Sequence, residues 1–223
     1  MRLNDVTWPD VVRPVLCVPL GSCEQHGPHL PFGTDTIIAE ALADELAARR
    51  PGIVVAPAIA VTASGEHAGF PGTLSIGSAV MATVVVELVR SADWADGVVL
   101  VNGHGGNREA VDCAVTTLGG EGRRVLSWWP VVDGGDAHAG HTETSLLLAL
   151  RPDVVRRDRA VAGETASLGE LAGRLQTHGV QAVSPNGVLG DPTGADAALG
   201  RAMFEQLAAR LLAAVEDWAG ARR

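Results

Sequence analysis

In the run GSCEQHGPHLPFGTDT, residues 21–36, Glu24, His26, His29 and Asp35 stand close together among glycines and prolines. Carboxylates and imidazoles are oxygen and nitrogen donors of intermediate hardness, a ligand set that suits Zn²⁺, Mn²⁺ or Fe²⁺. In an extended segment residues i and i+2 face the same side, about 7 Å apart. Glu24 and His26 are therefore expected to address one point, with the side chain of Gln25 turned away. Asp35 can fold back towards them from the start of the following helix, although Thr34 and Asp35 also stand where an N-cap belongs. His104, held in NGHGGN, offers a fourth ligand. Taken alone, the run has a plainer explanation as a polar, turn-rich loop.

The choice between these readings rests on the elements that position the residues. VLCVPLG (15–21) and GVVLVNG (97–103) are short apolar runs ending in glycine, expected as buried strands. GIVVAPAIAV (52–61) reads as one or two strands, and RVLSWWPV (124–131) is strand-like. Helical spacing is expected over 36–50, 79–94, 107–120, the start of 141–155 with a stop at Pro152, and 196–220; residues 156–195 resist assignment, with almost pure turn chemistry over 184–195. Strands alternating with helices indicate an α/β fold with a mostly parallel sheet between helical layers. Of seven histidines, 26, 29, 104, 138 and 141 lie between a predicted strand and the helix after it. Loops leaving the carboxyl ends of such strands line the ligand crevice, so their convergence favours a metal site.

Composition narrows the chemistry. The net charge of −9 argues against nucleic acid as a partner. No apolar run approaches the roughly 18 residues of a membrane span, and the N-terminus lacks a secretory h-region, so a cytoplasmic protein is expected. Cys17, Cys23 and Cys113 form neither a disulfide framework nor a zinc ribbon. The chain has no Lys and no Tyr, which removes Schiff-base and P-loop lysines and a tyrosine acid. TLSIG (73–77) has Thr where a nucleophile elbow needs Gly. Trp128 and Trp129 are candidates to line a pocket.

PLGSCEQHGPHLPFGTDT, GEHAGFPGTLSI, LVNGHGGN and HAGHTETSLLLAL follow one another as in the creatininase family of metal-dependent amidohydrolases, which the chain resembles from about residue 14 to 214. HAGHTETS and GVLGDPT look most like the mycofactocin-system branch, which trims a modified ribosomal peptide. The resemblance implies a three-layer αβα sandwich with a mostly parallel sheet, one domain over 1–223, and two divalent metal ions per chain (Zn, Fe(II) or Mn). It also implies closed homo-oligomers, often hexamers. By position, it assigns Glu24, His26, His104 and a bridging Asp35 as ligands. Creatininase has a further Glu ligand where this chain has Gly106, and Glu143 is the candidate replacement. His138 matches the family's proton shuttle, with His141 and Glu143 placed to orient it or the attacking water. Gly105 replaces a substrate-contacting Tyr, and the two glycines argue for a peptide end rather than creatinine. The implied reaction is amide hydrolysis releasing a C-terminal dipeptide, Val-Tyr in that pathway. Hydrolysis of a small cyclic amide or formamide, or a metal-bound scaffold without turnover, are the alternatives.

Overall fold

The computed structural model describes residues 1–221. Its centre is a parallel sheet of β1 (Val15–Leu20), β2 (Ile53–Val55), β3 (Gly97–Asn102) and β4 (Val125–Trp128) in the order β2-β1-β3-β4. β1 (Val15–Leu20) and β3 (Gly97–Asn102) are buried at every residue, as expected of strands covered on both faces. Alternation along β1 sends Val15 and Cys17 to one core and Leu16, Val18 and Leu20 to the other. The first core is closed by α1 (Thr34–Arg49), α4 (His141–Leu150) and α6 (Ala197–Gly220). The second is closed by α2 (Ser78–Ser91) and α3 (Arg108–Gly120). The result is the three-layer αβα arrangement.

β2 (Ile53–Val55) is shorter than its apolar run, and beyond it only an isolated bridge joins Ile59 to Leu20. β4 covers Val125–Trp128. α4 ends at Leu150, just before Pro152 as expected, and Pro152 opens a short 3₁₀ turn. The stretch 156–195, which local pattern leaves unassigned, contains α5 (Leu168–Val183). A capping box between Ser167 and Glu170 starts this helix. Gly169, Gly173 and Gly179 weaken its pattern, and Gly179 interrupts it with a φ of 73°. No helix among the described residues is long and apolar enough to cross a membrane.

The connections set the location of the site. β1 leads through α1 to β2 on one side, whereas β3 lies on the other side of β1. Chain order therefore reverses between β1 and β3, the point at which an open α/β sheet forms its crevice. The carboxyl ends of these strands, Leu20 and Asn102, are in register, and the segments that follow carry Glu24, His26 and His104.

Candidate functional site

Asp35 is the hub. It does not cap α1: Gly33 occupies the N-cap with no side-chain bond, and the Thr34 hydroxyl donates to Pro31 O at 2.8 Å. The Asp35 carboxylate instead meets His26 Nε2 at 3.0 Å through Oδ1, and His104 Nδ1 at 3.1 Å and the Ser22 hydroxyl at 2.8 Å through Oδ2. The first turn of α1 reaches the strand ends because Gly103 has no side chain; a Cβ there would lie 2.6 Å from Asp35 O.

Both histidines are held as metal-ligating histidines are held, with one ring N–H tied to a backbone carbonyl. His26 Nδ1 donates to Glu24 O at 3.0 Å, and His104 Nε2 donates to Ala63 O at 2.9 Å. The other nitrogen of each ring faces Asp35. Glu24 is fully buried, yet neither carboxylate oxygen accepts a hydrogen bond among the described residues. Around it stand His104 Nε2 at 3.1 Å, His67 Nε2 at 3.5 Å and His138 Nδ1 at 3.7 Å. A buried carboxylate left without a donor is costly unless a cation completes it. Donor atoms of Glu24, Asp35 and His104 lie within 4.8 Å of one another, as do those of His26, Asp35 and Glu143. Two groups of mixed N and O donors thus share Asp35, and this donor set fits a pair of divalent ions.

Without metal the charges balance through protons. Burial alone would deprotonate His26, but Asp35, with Glu143 and Glu24 nearby, raises its pKa to about 10. His104 resists the same burial through Glu24 and Asp35 and is raised to about 9. Burial also pushes Glu24 up to about 8 and Glu143 up to about 7. Asp35, despite its burial, is held well below the usual carboxylate range by the two imidazolium rings. A metal ion must displace the protons on the ring nitrogens that face Asp35. Loading at pH 7 is therefore expected to release at least about two protons per chain, those of the two rings, with a further contribution from Glu24 and Glu143, and affinity is expected to climb with pH until it flattens near 9 to 10. Calorimetric Mn²⁺ titrations in buffers of different ionisation enthalpy measure that release; none at pH 7 would contradict the charge state described.

Of the residues singled out in the sequence, the structure brings together Glu24, His26, Asp35, His104, His138 and Glu143. Gly105, with most of these, lines a cavity of about 800 Å³. His138 is fixed by a bridge to Leu189, and the neighbouring Ala139 adopts a φ of 52° so that its N–H donates to Glu143 Oε2 at 2.6 Å. Four residues lie elsewhere. Trp128 packs into the core beside α1 and α6, while Trp129 faces a second pocket. His141 donates to Gly194 O at 3.0 Å. His29 pairs with the Thr144 hydroxyl at 2.9 Å, and burial lowers its pKa to about 4.

The structure adds His67, Glu66 and Gln25. His67 follows β2 by a long loop, so the strand-end argument that selected the other histidines applies to it as well. The carboxylate of Glu66 fills the space where a side chain at Gly106 would begin. Gln25 is not turned away: it is buried, and its amide donates to His67 Nδ1 at 2.9 Å and Gly187 O at 3.0 Å. Its carbonyl oxygen accepts from Gly27 N at 2.8 Å. These bonds assign the His67 proton to Nε2, facing Glu24. Gln25→Leu leaves those partners unpaired and is expected to cost roughly 3 kcal/mol, a fall of about 10 °C in Tm by calorimetry. An unchanged Tm would mean that the network contributes little.

Comparison with known proteins agrees with this geometry. Residues 4–215 match the family described as creatininase, creatinine amidohydrolase. The mycofactocin precursor peptide peptidase of Mycobacterium ulcerans (strain Agy99) is 49% identical over 223 residues, covering 95% of this chain and 86% of that protein. A mutant creatininase of known structure gives a TM-score of 0.80 at 26% identity, covering 97% of this chain and 98% of that one. A manganese creatininase gives 0.78 at 26% identity, covering 97% of both. A sheet order, a crevice and a whole-length sequence match all lead to one assignment: this chain belongs to the creatininase family of amidohydrolases.

Proposed function

We propose that this protein is a metal-dependent peptidase that hydrolyses an amide bond near the C-terminus of the modified mycofactocin precursor peptide, releasing a dipeptide. The observation that carries the reading is the pair of donor groups sharing Asp35 beside an 800 Å³ cavity, with Gly105 leaving open space on its wall. Such a volume admits a peptide end and exceeds what a small ring needs. Glu24, Asp35 and His104 would hold one divalent ion, and His26, Asp35 and Glu143 a second. When bound, such a pair supplies Lewis acidity towards an amide carbonyl and lowers the pKa of water.

The remaining chemistry belongs to side chains. His138 is neutral at pH 7, because burial and then the His26 charge hold its pKa well below the ordinary value. Its Nε2–H donates to Gln25 O at 2.9 Å, which leaves the Nδ1 lone pair facing Glu24. A base in that state takes a proton from the attacking water and returns it to the departing amine nitrogen. Water is thus divided, hydroxyl to the carbonyl carbon and hydrogen to nitrogen, as the C–N bond breaks. The family resemblance further supports a cytoplasmic homo-oligomer.

Metal content per chain, measured on the sample used for cleavage of the modified precursor, tests the reading. Two metals with dipeptide release support it. Two metals with hydrolysis of only cyclic amides or formamides would reassign the substrate. Metal bound with no turnover on any of them would leave a scaffold.

A further inference from the structure

His67 is buried beside the metal groups and has no part in the proton transfers assigned to His138. It is 4% exposed, lies in the loop between β2 and α2, and lines the large cavity. Gln25 decides where its proton sits. The Gln25 carbonyl oxygen accepts from Gly27 N at 2.8 Å, and its amide nitrogen donates to Gly187 O at 3.0 Å. Both partners are backbone groups of fixed polarity, so the amide cannot be turned over. Its second N–H meets His67 Nδ1 at 2.9 Å; that nitrogen carries the lone pair, and the ring proton is on Nε2. The Nε2–H makes no hydrogen bond among the described residues. Glu24 Oε1, the carboxylate oxygen it faces, is 3.5 Å away, longer than a normal bond. A buried donor left unpaired is costly, and this one opens onto a cavity that a substrate can enter.

His138 stands next to it in the opposite state. The two rings lie 4.6 Å apart and approach the same Glu24 oxygen. His67 presents an N–H there, whereas His138, its Nε2–H tied to Gln25 O, presents a lone pair. A donor and a base thus flank one point of the cavity wall. Amide hydrolysis uses both: a base for the attacking water, and a donor for the oxygen that turns negative. We infer that His67, locked by Gln25 as a neutral Nε2–H donor, binds the carbonyl oxygen of the scissile amide and stabilises the charge that oxygen gains in the tetrahedral intermediate. The inference rests on the reading of the site as an amide hydrolase. No proton leaves His67. The carbonyl π pair moves to oxygen as the hydroxyl of water bonds to carbon, and it returns as the C–N bond breaks; the hydrogen taken up by His138 goes to nitrogen. A donor fixed before the reaction begins needs no reorganisation when charge develops, and the Gln25 amide supplies that fixing.

The test compares metal-loaded wild type, His67→Phe and His67→Gln on the modified precursor peptide. Phe keeps a ring and removes the donor; Gln returns an amide N–H near the Nε2 position without the lock. His67→Phe is expected to lower kcat by about 100- to 1000-fold with little change in KM, and His67→Gln to recover part of the loss. Metal affinity, read by calorimetric Mn²⁺ titration, should match wild type in both variants. A donor that served only Glu24 would instead weaken it by roughly 10- to 100-fold on removal. Histidine NMR of the Zn²⁺-loaded wild type should find His67 Nδ1 without a proton, a readout that needs neither turnover nor a variant that folds. A proton on Nδ1, an undiminished kcat in His67→Phe, or weakened metal binding with kcat intact at saturating metal would each overturn the assignment and leave the peptidase standing. Small cyclic amides pass through the same kind of oxyanion. Wild-type protein that hydrolysed only those would overturn the peptidase reading, and the same His67 comparison would then be made on them.

Discussion

Asp35→Asn is expected to leave the protein with less than one metal per chain and to lower kcat/KM by at least about 1000-fold. The size of the effect follows from position. Asp35 belongs to both donor groups, so one substitution damages both sites, whereas Glu143→Gln touches only the group it shares with His26 and Asp35. Asn keeps the shape and the Ser22 contact but removes the charge that offsets two buried imidazolium rings. His26 and His104 should then surrender their protons near neutral pH in the metal-free protein, because burial no longer faces an adjacent carboxylate. Elemental analysis with peptide cleavage reads the first effect, and histidine NMR titration reads the second. Two metals retained by the Asn variant would remove Asp35 as the bridge. Glu143→Gln should retain about one metal per chain; two would remove Glu143 from the ligand set.

Much of this site is legible before any coordinates because its residues obey two simple rules. The two central strands are apolar runs that end in glycine, and polar residues following strand ends gather at one edge of a parallel sheet. His26 and His104 satisfy that rule, His138 follows β4 without the glycine ending, and Asp35 is reached from the loop that carries His26. What local pattern cannot give is the direction of a side chain within a loop. Alternation predicts Gln25 pointing away from Glu24 and His26, but the turn at Gly27, with a φ of 65°, and the return of the chain at Gly187 bring its amide into the network. Trp128 and Trp129 show the opposite case. Alternation does separate them: Trp128 packs against the core under α1 and α6, and Trp129 against the core on the other face, where it also lines a pocket. Asp35 had two chemically reasonable roles, cap or ligand. Long-range partners decided it, since His26 and His104 offer a buried charge more than helix capping does. α5 escaped because its glycines dilute the helical signal, although its capping box lay in plain view at Ser167 and Glu170.

The second large effect is expected at His138. His138→Gln should retain the metals of the wild type, cut kcat by roughly 100- to 10,000-fold, and change KM little. The argument separates two roles that the geometry brings close together. His138 shares a donor group with Glu24 and His26, so loss of metal on substitution would make it a ligand. Its ring, however, lies 4.3 Å from that of His26 and 4.6 Å from that of His67, and its Nδ1 is 3.7 Å from Glu24, longer than the Asp35 contacts to His26 and His104. A residue set beside the metal groups rather than between them is placed for proton transfer. The sign of the pH dependence follows from its protonation state. Burial lowers its pKa well below the ordinary value, so the active, neutral form persists through neutrality. Activity should therefore fall on the acid side as this ring gains a proton, and that acid limb should flatten in His138→Gln while elemental analysis shows the metals in place. A variant that kept the acid limb and lost metal would move His138 into the ligand set and leave the leaving nitrogen to draw its proton from another group, with Glu143, raised to about 7 by its burial, the nearest in pKa.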